Sequence, residues 1–155
     1  MLKVALKYGL VITAVVIAWI VIARLIMNIG ADSGANIIAP VLFNIVAIIA
    51  IFLGVRARKK ELNGQLGFKD AIKTGMAISL VYAVSACIFF MLQYLIAGPG
   101  LLLSEAGPPT GPLWQVAVRA YAGLFFGSLL FGLIYSTIIA FFLARRLDRE
   151  SSEII

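Results

Sequence analysis

Histidine is missing from the 155 residues altogether, and cysteine occurs once, at Cys87. The first absence removes the commonest general base, proton relay and metal ligand. The second excludes an intramolecular disulfide and any CxxC redox or zinc motif. Charge is scarce as well: 13% of residues are charged, where soluble domains carry about 25%. The seven acids (Asp32, Glu61, Asp70, Glu105, Asp148, Glu150 and Glu153) all fall in expected loops, interfaces or a tail, none inside an apolar run. An enzyme needs positioned nucleophiles, acids, bases or a metal, and Ser128, beside Gly127, has no histidine to activate it. The expectation is a chain that is not an enzyme, with no metal site and no cofactor.

What is present is apolar. Hydrophobic residues make up 63% of the chain, and the mean hydropathy is +1.07. A bilayer crossing needs about 20 predominantly apolar residues, and the pattern predicts four, at residues 4–29, 37–55, 74–97 and 119–144. They leave a basic loop at 56–73 and a Gly- and Pro-rich loop at 98–113, within one domain over 1–155. The expected fold class is therefore an all-α membrane protein, a bundle of four transmembrane helices. In the first stretch, sixteen uncharged residues separate Lys7 from Arg24. That is slightly short, and snorkelling of both cations to the headgroups completes the span. A signal peptide is the rival reading of this stretch; the run is long for one, and no clean A-x-A site precedes a soluble domain.

Boundaries are marked chemically. Pro40 falls in the first turn of the second helix, where its missing N–H costs little. Arg56-Ala57-Arg58-Lys59-Lys60-Glu61-Leu62-Asn63-Gly64 then ends that span, with Asn63-Gly64 as a turn signal. Leu66, Phe68, Ala71 and Ile72 interleave with Lys69, Asp70 and Lys73, which predicts an interfacial amphipathic elbow ahead of the third helix. Trp114, Arg119 and Tyr121 anchor the start of the fourth, and Arg145, Arg146 and Arg149 close it.

The net charge of +6 and pI of 9.8 would point to nucleic acid in a soluble chain. Here they follow from basic flanks, and no nucleic-acid partner is expected. With the amino terminus inside, eleven cations (Lys3, Lys7, Arg56, Arg58, Lys59, Lys60, Lys69, Lys73, Arg145, Arg146 and Arg149) lie on the cytoplasmic side, against Arg24 and Arg119 on the other. The positive-inside rule then puts both termini in the cytoplasm.

Residues 5–13 (ALKYGLVIT) align with residues 71–79 (AIKTGMAIS). Phe52-Leu53-Gly54 before Arg56 likewise resembles Phe142-Leu143-Ala144 before Arg145. Two readings stand: two duplicated helical hairpins related by a pseudo-twofold along the membrane normal, or the ordinary likeness of basic-then-apolar helix starts.

Lipid removes the hydrophobic drive between helices, so small side chains and interhelical hydrogen bonds must hold a bundle together. Gly123, Gly127 and Ser128, with Gly132 and Ser136, make the expected packing seam of the fourth helix; Gly75, Ser79 and Ala83, continued by Cys87, make that of the third. Such seams serve either within one chain or between chains. The basic residues Arg56, Arg58, Lys59, Lys60, Lys69 and Lys73 either fix topology alone or also contact anionic lipid or a partner. Asn44 and Gln93 are candidates for a polar intramembrane site, against the plainer role of hydrogen bonding between helices.

From Gly54 to Gly75 the chain resembles a bacterial membrane family, domain of unknown function 4199. The resemblance rests on Gly54-Val55 leading to Arg58-Lys59, the Asn63-Gly64 turn, and Phe68, Ala71, Lys73 and Gly75 at the start of the third helix. Gln65 departs from it, standing where a second glycine is common. The resemblance implies four spans and a bacterial inner (cytoplasmic) membrane, multi-pass, and carries no activity or substrate. Taken together, the residues point to a non-enzymatic protein working through helix–helix or lipid contacts, as an accessory or scaffold subunit or a homo-oligomer. Its partners are then membrane lipids and other membrane proteins or further copies. The alternative is a small oligomeric transporter or channel for an uncharged or weakly polar solute, lined by Asn44 and Gln93.

Overall fold

Backbone N–H and C=O groups in hydrocarbon must be satisfied internally, which a helix does within one segment. The described parts of the apolar runs all take that solution. The computed structural model describes residues 1–22, 38–100 and 111–144. Its helices are α1 (Leu2–Val21), α2 (Ile38–Glu61), α3 (Phe68–Ala97) and α4 (Leu113–Ala144), and no strand occurs among the described residues. Each is long and apolar enough to cross a membrane. The chain is a multi-pass membrane protein. Residues 23–29 and 37 of the expected first two spans, the connection at 28–36, residues 101–110, Arg24, Asp32, Glu105 and the segment from Arg145 to Glu153 lie outside the described residues.

The helices overrun the spans expected from apolarity. Of the basic loop expected at 56–73, Arg56 to Glu61 belong to α2 and Phe68 to Lys73 to α3, so the true connection is 62–67. Arg, Lys, Ala and Glu are good helix formers whether or not lipid surrounds them, so charge ends a span without ending a helix. The predicted elbow is accordingly the opening turns of a continuous α3. The fourth helix likewise starts at Leu113, six residues ahead of the expected 119, taking in Trp114.

The turn itself is built from Asn63 and Gly64, with φ of 51° and 90°. Gly64 N–H donates to the Lys59 carbonyl at 2.9 Å and Asn63 N–H to that of Lys60 at 3.1 Å. This pair of bonds closes α2 in a Schellman arrangement, with left-handed residues just past the helix. Leu66, fully buried, then tucks the connection beneath the bundle before Gly67 opens α3 in extended conformation.

α3 is the hub. It packs most extensively on α4, then on α1, and also touches α2, while α2 also contacts α1 and α4. α1 and α4 therefore stand across the bundle from one another. A strict twofold between hairpins would pair α1 with α4 as closely as α2 with α3, and the packing departs from that. The buried cluster comprises Ala5 and Ile12, Ala50, Ile51 and Val55, Leu66, Ala71 and Ile78, Ile139 and Ala140. All but Ile12, which sits near mid-bundle beside the Thr13–Ser85 contact, lie towards the end that carries most of the cations. No described residue of α2 before Ala50 is buried.

Candidate functional site

The tightest contact joins α3 to α4. Gly75 and Ser79 lie one turn apart on α3, as do Gly132 and Ser136 on α4. The helices run antiparallel, so each glycine receives the other helix's serine: a Cβ on Gly75 would collide with the Ser136 side chain, and one on Gly132 with that of Ser79. Each serine hydroxyl also donates back to its own helix, Ser79 to the Gly75 carbonyl at 3.1 Å and Ser136 to that of Gly132 at 2.5 Å. The polar atoms are thereby satisfied while the serine bodies fill the notches. All four residues are buried, and Ala83 continues the buried face one turn on. Gly9 repeats the device between α1 and α3, its absent side chain leaving room for Val81 and the Ile78 carbonyl. Thr13 bonds back to Gly9 at 3.2 Å and meets the Ser85 hydroxyl at 2.6 Å.

The rest of the expected α4 seam behaves differently. A Cβ on Gly123 or Gly127 would meet nothing within 4 Å among the described residues. Ser128, half-buried, returns its hydroxyl to the Leu124 carbonyl at 2.6 Å. One stripe of small residues thus divides at mid-helix: its basic-end half is locked to α3, and the glycines of its other half have room for a side chain among the described residues.

The candidate polar residues are not brought together as a lining. Tyr135 on α4 donates its hydroxyl to Asn44 Oδ1 on α2 at 2.5 Å, and Asn44 Nδ2 donates to the Pro40 carbonyl at 2.7 Å. Asn44 is therefore a cross-helix tie. Gln93 sits half-buried one turn before the end of α3. Tyr121 adds a tie that composition alone does not single out, its hydroxyl donating to the Phe90 carbonyl at 3.3 Å. Cys87, the only thiol, is half-buried with Sγ 4.0 Å from the Tyr121 carbonyl. Among the described residues, no three His, Cys, Asp or Glu side chains group in a way that could hold a metal ion.

The basic residues also divide. Arg58 donates to the Glu61 carboxylate at 2.7 Å. Lys59 Nζ reaches across from α2 to the Leu143 carbonyl of α4 at 3.1 Å. Arg56, Lys60, Lys69 and Lys73 are exposed.

The family described as "Protein of unknown function (DUF4199)" matches residues 7–103, from the first turns of α1 to just past α3. The chain belongs to that family. No curated protein and no solved structure matches it. In this DUF4199 member the match takes in Gly75 and Ser79, whereas their counterparts Gly132 and Ser136 lie beyond it.

Proposed function

We propose that this DUF4199 protein is non-enzymatic and acts by contact within the membrane, as an accessory or scaffold subunit or as a homo-oligomer. We place it in the cytoplasmic membrane of a bacterium, with both termini in the cytoplasm. The excess of cations at one end of the bundle supports that orientation under the positive-inside rule.

The observation that carries the reading is the open half of α4. Gly123 and Gly127 form a GxxxG pair, the spacing that lets two helix backbones approach closely in lipid, and a Cβ at either would meet nothing within 4 Å among the described residues. In the same half of the bundle no described residue of α2 is buried, so a partner helix there would add packing to what the described residues supply. The channel alternative draws on Asn44 and Gln93. With Asn44 tied to Tyr135 and Pro40, no observation favours it.

The test is a mild-detergent pull-down of the tagged protein from native membranes, followed by native mass determination. A stoichiometric foreign membrane protein, or a defined multimer of this chain, is expected. A monomer carrying only lipid would overturn the contact reading and turn attention to flux assays in vesicles.

A further inference from the structure

The cations that end α2 fall into two pairs. Arg58 and Lys59 have partners within the chain, Arg58 the Glu61 carboxylate and Lys59 the Leu143 carbonyl of α4. Arg56 and Lys60 are exposed, and a separation of four residues puts them about 40° apart around the helix. The face beneath them is apolar and outward: Ile45, Ile49, Phe52 and Leu53 are all exposed. Glu61, the acid of this segment, points about 140° away from Arg56 around the helix and is held by Arg58.

We propose that Arg56 and Lys60 bind the phosphate of an anionic phospholipid whose acyl chains lie along Ile45, Ile49, Phe52 and Leu53. The inference rests on the reading that the helices cross a bilayer and that the protein works through membrane contacts, and it assigns one of those contacts to one helix face. Charge complementarity and depth select the occupant. Two outward cations one turn beyond an exposed apolar stripe stand where snorkelling side chains meet headgroups. A soluble anion gains nothing from the stripe. The exposed pair on α3, Lys69 and Lys73, supplies the contrast. Asp70, also exposed, lies between them in sequence, and the first exposed large apolar residue deeper on α3 is Leu80, about two turns past Lys73.

The experiment titrates the purified full-length chain with phosphatidylglycerol and with phosphatidylcholine, counting retained lipids by native mass spectrometry. A cation near a membrane surface contributes about 1 kcal/mol, or roughly fivefold in affinity. R56Q/K60Q should therefore weaken phosphatidylglycerol binding by about 30-fold and leave phosphatidylcholine unchanged, while R56K/K60R retains binding and K69Q/K73Q lowers it less than about threefold. Equal losses in the two neutral double variants would mean diffuse surface charge and would overturn the site. So would undiminished binding in R56Q/K60Q, displacement of the lipid by millimolar inorganic phosphate, or an acidic partner protein, rather than lipid, lost from R56Q/K60Q. If R56Q/K60Q fails to fold, R56Q alone decides, with about fivefold weakening expected and none contradicting the proposal. The same spectra report the protein's assembly mass, so failure of the lipid site and failure of the contact reading are read separately.

Discussion

A serine is small enough to enter a glycine notch, and its hydroxyl need not be left unpaired there. Ser79 and Ser136 do both things at once, which makes the α3–α4 contact a pair of reciprocal insertions. Gly75→Ala should destabilise the bundle by about 1–3 kcal/mol through overpacking. Ser136→Gly in the same chain should recover much of that loss, because it removes the atoms the new methyl strikes. A denaturation series in detergent on the two single variants and the double variant checks this, and strict additivity would contradict it. Asn44→Leu should cost less, about 0.6 kcal/mol and at most about 1.7, as cross-helix hydrogen bonds in membranes do. These residues were visible in the sequence as small or polar positions at helical spacing. Their mates were not, because a stripe names a face and not what lies against it. Gly127 and Gly132 look alike in sequence and differ entirely in what surrounds them.

At the scale of elements, the four helices were legible because a crossing demands a long charge-free run, and only their ends were displaced. Apolarity reports where lipid stops, whereas Arg56 to Glu61 continue to favour helix in water. The Asn63-Gly64 pair was legible for a different reason: few residues tolerate consecutive left-handed conformations. Gly64→Val should therefore cost about 1–2 kcal/mol with nothing to clash against, since a Cβ there meets open space. An unchanged melting temperature for Gly64→Val would show that the φ of 90° is not required. The bond from Lys59 to α4 was not legible, because it joins residues 84 apart in sequence.

The whole molecule is packed unevenly. Its buried cluster lies towards the basic end, where the glycine–serine lock and the Leu66 anchor gather α2, α3 and α4. Towards the other end, α2 exposes or half-exposes every described side chain before Ala50, and a Cβ on exposed Gly123 or half-buried Gly127 would touch no described residue. Among the described residues the closest helix packing is thus concentrated towards the basic end, while the other end is joined by scattered ties such as Tyr121 to Phe90 and Tyr135 to Asn44. The measurement that tests this most directly compares Gly127→Leu with Gly132→Leu for thermal stability and assembly mass in mild detergent. The account predicts that Gly132→Leu loses about 3 kcal/mol or more of stability, because leucine cannot occupy the space of Ser79. Gly127→Leu should fold as the wild type does, lose the partner or the second copy, and lose no more stability than that association contributes. If Gly127→Leu unfolds the chain, or folds and assembles as the wild type does, the outer half of α4 is not the contact surface.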